Sequence, residues 1–155
     1  MGAANAQMCC RRGGGSGNVE TAHLTRVNKA SDMSIVNVNV IGKWVERFNS
    51  RDVAGCAALY AEDASLHVAF VDPMQGRASI QSMFEAYFSA APMYCIVKRL
   101  YAADGGHVIL EWEDKVGLLG VNIYEVADGL ILRQRNYFDQ LTFLRLNGLP
   151  IPKDA

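Results

Sequence analysis

Between Tyr94 and Phe138 the chain repeats one pattern four times: a run in which apolar residues alternate with polar ones, closed by a turn signal. The runs cover residues 94–101, 107–116, 118–126 and 130–138, and the signals between them are Asp104-Gly105-Gly106, Gly117 and Asp128-Gly129. A period of two sends successive side chains to opposite faces of a sheet, and such short links join antiparallel neighbours. A four-stranded antiparallel meander is therefore expected, with one face against a core.

The preceding stretch has a helical period. From Ser34, the residues Ile41, Trp44, Val45 and Phe48 form one apolar stripe. Residues 49–52 (NSRD) break it, 53–60 reads as a second short helix, and 61–64 (AEDA) ends that helix. Residues 65–71 read as a strand and 72–76 (DPMQG) as a turn, before Ile80, Met83, Phe84, Tyr87 and Phe88 mark a third helix. Helices first and a meander last give an α+β domain over residues 33–155. Residues 1–32 carry a Gly/Ser stretch and little apolar periodicity, so they are expected to form a largely irregular amino-terminal extension.

With 155 residues, 50% of them hydrophobic, the chain is long enough for one sizeable core. A net charge of −1 offers no surface for nucleic acid or an anionic membrane. Cys9, Cys10, Cys56 and Cys95 have neither metal-ligand spacing nor the density of a secreted disulfide scaffold and read as free thiols. No apolar run approaches the roughly 20 residues that span a bilayer, and the amino-terminus lacks a signal-peptide core. The expectation is a cytoplasmic protein. His23, His67 and His107 are scattered, and GGGSG lies in the extension rather than after a strand, so neither a metal nor a cofactor is expected.

Asp114 disturbs the pattern. In HVILEWEDKV it shares the even positions with Val108, Leu110, Trp112 and Val116, where a carboxylate must be paired, hydrogen-bonded or wet. On the last strand, Leu130, Leu132, Gln134, Asn136 and Phe138 form one face, with Ile131, Arg133, Arg135 and Tyr137 on the other. If the arginine face is the outer one, it shares a side of the sheet with Glu111 and Glu113, and Trp112, Asp114, Gln134 and Asn136 gather inside. Residues 118–125 are largely apolar on both faces, which suggests a homodimer through the sheet.

The pieces ERFNSRD, LYAEDASL, GRASI, ADGLILRQRNYFD and LPIP resemble the nuclear-transport-factor-2-like proteins, especially their SnoaL-like polyketide cyclase and limonene epoxide hydrolase branches. The resemblance runs from Ile35 to the carboxyl end and implies a cone-shaped α+β barrel, with three amino-terminal helices packed on a curved, mainly antiparallel sheet. Limonene epoxide hydrolases activate a water with an arginine, an aspartate two residues later, and an aspartate just before Tyr-Phe-Asp. Trp112, Asp114 and Asn136 stand at those places here, so one of the three is kept. SnoaL-like cyclases use an aspartate as base where this chain has Asn136. The places of the ketosteroid isomerases' tyrosine, base and acid look like Trp44, a position near His67 or Val68, and Asn122.

Asp114, His67 and Asn136 are thus the catalytic candidates, with Asp114 as the acid–base residue. Trp112, Asn122, Gln134, Trp44, Phe84, Phe88 and Phe138 are the candidate substrate-binding residues. The expected function is a cofactor-independent enzyme, of hydrolase, isomerase or cyclase type, acting on a small apolar or cyclic molecule in a deep pocket. The alternative is a non-catalytic small-molecule binding protein of the same fold.

Overall fold

The computed structural model describes backbone over residues 17–90 and 93–151, and side chains over residues 32–90 and 93–151. The chain divides into two units, Met1–Ser31 and Asp32–Ala155. The first helix, α1, covers Gly17–Asn49, so the irregular structure expected over 1–32 is replaced by helix from Gly17. Glu20, Ala22, Leu24, Lys29 and Ala30 are good helix formers, and no proline interrupts them. Residues 1–16 lie outside the described residues.

In the second unit, α1 is followed by α2 (Val53–Ala57), whose amino end is capped by Asp52 accepting from Gly55 N at 2.9 Å. Strand β1 then spans Tyr60–Val68 and β2 spans Met74–Gln75. Helix α3 (Arg77–Ala90) precedes the meander of β3 (Ile96–Ala102), β4 (His107–Glu113), β5 (Leu119–Ala127) and β6 (Leu130–Phe138). A last helix, α4, covers Gln140–Leu146 and was not expected.

The sheet has six strands in the order β2-β1-β6-β5-β4-β3. Its edges, β2 and β3, do not meet, so the layout is an open curved sheet and not a closed barrel. Every neighbour pair is antiparallel except β1 with β6. That parallel pairing is why β1 begins at Tyr60, where a second helix was expected to end. Tyr60 lies beside Ile131, and Ile131 N donates to Leu59 O at 2.8 Å.

The strict alternation expected of β6 also fails at one place. Glu125 faces Arg133 and Val126 faces Ile131, leaving Leu132 as an extra residue. A bulge of this kind switches the faces beyond it. Ile131 is accordingly fully buried and Leu132 exposed, while Gln134 returns to the inside. On the outer face β5 separates β6 from β4, so Arg133 reaches Glu125 at 3.3 Å, and Glu113 is met by Lys98 at 2.8 Å.

The core lies between the inner sheet face and the helices. Ile41, Trp44 and Phe48 of α1 and Ile80 and Phe84 of α3 pack on Leu66, Val108, Leu110, Tyr124 and Ile131. Each such fully buried large side chain contributes about 1.5–3 kcal/mol. Among the described residues, no helix is long and apolar enough to cross a membrane.

Candidate functional site

The same packing leaves a cavity of about 390 Å³ beside the core. Trp44 and Phe48 come from α1, Leu66 and Val68 from β1, and Met83, Phe84 and Tyr87 from α3. The sheet supplies Trp112, Asn122, Gln134, Asn136 and Phe138, while Phe143 of α4 closes one end against Phe138, ring centroids 5.5 Å apart. No charged side chain lines it among the described residues.

Two hydrogen-bonded chains run through its polar wall. In the first, Trp44 Nε1 donates to Tyr60 Oη at 2.9 Å, Tyr60 Oη donates to Gln134 Oε1, and Gln134 Nε2 donates to Asn136 Oδ1 at 2.6 Å. In the second, Trp112 Nε1 donates to Asn122 Oδ1 at 2.9 Å and Asn122 Nδ2 donates to Tyr124 Oη at 3.0 Å. Burial holds the Tyr60 and Tyr124 phenols well above the ordinary tyrosine range, although the bonds from Trp44 and Asn122 pull the other way. Both remain neutral.

The alternation in the sequence placed Trp112, Gln134, Asn136 and Phe138 on one face and the family resemblance pointed to Asn122, and the cavity brings all five together with Trp44 and Phe84. Phe88 is not at the cavity. It is 8% exposed and packs into the core, 5.3 Å from the Phe48 ring and 5.7 Å from that of Phe84.

Asp114 is also elsewhere. Strand β4 ends at Glu113, and Asp114 begins the turn into β5. Its Oδ1 accepts from Val116 N at 2.9 Å and from Leu118 N at 2.8 Å, while its own N–H donates to Leu118 O at 2.9 Å. The carboxylate is 4% exposed and satisfied by the backbone of its own turn, and it does not line the cavity. The period of two was carried to Val116, three residues past the end of the strand at Glu113.

His67 sits between two lining residues, Leu66 and Val68, and therefore points to the opposite face, where Arg135 is its neighbour on β6. Asp139 has a structural role: its Oδ1 caps α4 by accepting from Thr142 N at 2.5 Å.

The titratable groups that do line the cavity are Tyr87, Tyr94 and Cys95. Burial raises Tyr87 far above its ordinary range, with the Asp114 charge adding to the effect, and Tyr87 Oη donates to Met93 Sδ. Burial pushes the Cys95 thiol up to about 12, which leaves it a poor nucleophile at neutral pH. Lys115 Nζ lies 3.9 Å over the Tyr94 ring. Among the described residues no group of three His, Cys, Asp or Glu side chains could hold a metal ion. The wall is built to satisfy and orient amides, and among the described residues it holds no His, Asp, Glu, Lys or Arg side chain.

The sequence profile of the SnoaL-like domain matches residues 41–134, which supply most of this cavity. The chain belongs to the SnoaL-like family. Solved structures with the same fold include a nuclear-transport-factor-2-like protein of unknown function from Cytophaga hutchinsonii, 13% identical with a TM-score of 0.61 over 70% of this chain and 94% of that one. A ketosteroid isomerase-like fold from Catenulispora acidiphila, in complex with trimethylamine, is 18% identical with a TM-score of 0.63 over 72% and 93%. An epoxide hydrolase of Mycobacterium tuberculosis, described as LEH-like, is 18% identical with a TM-score of 0.64 over 72% and 89%. At such identities the likeness shows the fold of this SnoaL-like protein and leaves its chemistry to the site. No curated protein matches the chain.

Proposed function

We propose that this SnoaL-like protein binds a small, neutral, largely apolar molecule and does not transform it. The observation that carries the reading is the lining: aromatic and aliphatic walls, three amides, and no charged side chain among the described residues. Apolar ligand surface gains about 25 cal/mol per Å² on leaving water, whereas an ionised group would be desolvated with nothing opposite it. Acid–base catalysis centred on Asp114 is not carried forward, since that carboxylate is held in the β4–β5 turn.

A thermal-shift screen of neutral hydrophobic molecules, followed by chromatography of each hit after prolonged incubation, tests this. Stabilisation with the ligand recovered unchanged is expected, at about 2.7 kcal/mol when the ligand is at a hundred times its Kd. Steady conversion of a hit to product would replace the proposal with an enzymatic one.

We also propose that a second copy packs on the outer face of β4–β6. Leu119 is 63% and Tyr137 44% exposed there, beside the half-buried Val121 and Ile123. Sedimentation should give a dimer that Val121→Lys or Ile123→Lys converts to monomer. An unchanged dimer would remove this face as the contact.

A further inference from the structure

The two hydrogen-bonded chains have a direction, and the direction says what the ligand must carry. An indole N–H only donates. Because Trp44 Nε1 gives its hydrogen to Tyr60 Oη, the Tyr60 hydroxyl hydrogen is directed to Gln134 Oε1. That fixes the Gln134 amide with its nitrogen toward Asn136, and Asn136 in turn presents Oδ1 to Gln134 at 2.6 Å. Asn136 lines the cavity, and its Nδ2 has no hydrogen-bond partner among the described residues. The second chain starts at another indole, Trp112, and consumes Asn122 Oδ1 in the same way.

Each acceptor oxygen in the two chains, namely Tyr60 Oη, Gln134 Oε1, Asn136 Oδ1, Asn122 Oδ1 and Tyr124 Oη, already holds one donor. Asn136 Nδ2, on a cavity-lining residue, is a donor that makes no hydrogen bond among the described residues. We infer that Asn136 Nδ2 docks a neutral acceptor oxygen, a carbonyl or ether type, on an otherwise apolar ligand. The inference deepens the binding reading above and rests on it.

An alcohol of the same shape gains less, because its own hydrogen must share an acceptor oxygen that already holds one donor. A carboxylate or an ammonium group meets no counter-charge in the lining. Tyr60 does not line the cavity, yet its hydroxyl is the link that pins both amides. It acts as a positioning residue.

Rigid molecules of one shape separate these effects: adamantane, 2-adamantanone, 2-adamantanol and adamantane-1-carboxylate, titrated into the full-length protein by calorimetry. The ketone should bind roughly fivefold tighter than the hydrocarbon, the gain of one net hydrogen bond, and tighter than the alcohol, while the carboxylate binds most weakly. Asn136→Leu should erase the gap between ketone and hydrocarbon. Tyr60→Phe frees Gln134 to turn over, so the ketone-over-alcohol ratio should fall to within about twofold while adamantane affinity holds. A merely structural Tyr60 would weaken all four ligands alike.

The panel on the unaltered protein does not depend on any variant folding. Equal affinity for ketone and hydrocarbon overturns the assignment of Asn136 and leaves the binding reading standing. Binding of none of the four overturns both. A ketone preference that survives Asn136→Leu places the donor elsewhere and defeats the inference.

Discussion

A Cβ atom built on Gly120 would lie 2.2 Å from Trp112 Cζ2, because the indole occupies the space of the missing side chain across the β4–β5 ladder. Gly120 also faces Phe138 on its other side, and the Trp112 and Phe138 rings stand 5.9 Å apart over it. The glycine is a seat for two cavity walls.

Gly120→Ala should therefore push Trp112 off that seat and break its bond to Asn122. Overpacking of this sort costs about 1–3 kcal/mol, to be read from urea unfolding, and tryptophan fluorescence should shift in the folded state. Unchanged emission and unchanged stability would contradict the seat.

Asp114→Ala should strip two backbone N–H groups of their acceptor and cost about 1–3 kcal/mol, with ligand affinity held within twofold. Asp114→Asn keeps an acceptor oxygen and should cost less. Affinity lost in Asp114→Asn without loss of stability would return the carboxylate to the site.

The Asp139 carboxyl is held below its ordinary value of 3.8, first by its hydrogen bonds with Thr142. A depressed folded-state value means that its contribution to α4 is fully present above the unfolded-state value and fades as pH falls through the folded one. Amide-exchange protection of Thr142 should stay level from neutral pH down to about 5 and drop in more acidic solution. Asp139→Asn should flatten that dependence; an identical acid-side drop in the variant would point to another group.

Burial pushes Cys56 and Cys95 up to about 12. In the folded protein at pH 8 both should resist iodoacetamide, and both should be modified in urea, as peptide mass spectrometry would show. Prompt native alkylation of Cys95 would mean that the cavity holds it as a thiolate.

Much of the cavity was legible because a period of two is set by backbone geometry alone. It placed Trp112, Gln134 and Asn136 on one face wherever a strand continued, while Asn122 was reached through the family resemblance. Where the strand stopped, the same rule still buried Asp114 but could not show that its carboxylate is held by the turn and does not line the cavity. The Asp-x-x-Gly spacing of Asp114 and Gly117, the latter with φ of +91°, was the local turn signal that competed with it. Helix α4 was not read, although its signals stood in the sequence as an Asp139 cap and an Asn147-Gly148 end, with Gly148 at φ of +64°. Tyr60 was not legible, because its place depends on pairing with a strand far along the chain, which no local pattern encodes.

That pairing has a consequence for how the molecule comes into being. Tyr60 and Gln134 are 74 residues apart, so the amide relay closes only after β6 has left the ribosome. Until then the side of β1 away from β2 is an open edge, and the nascent chain depends on the slow, long-range zippering of β1 to β6. A shortened chain lacking β6 would keep its helices but would leave β1 and β5 open to other chains, making it a candidate for aggregation rather than a smaller binding domain.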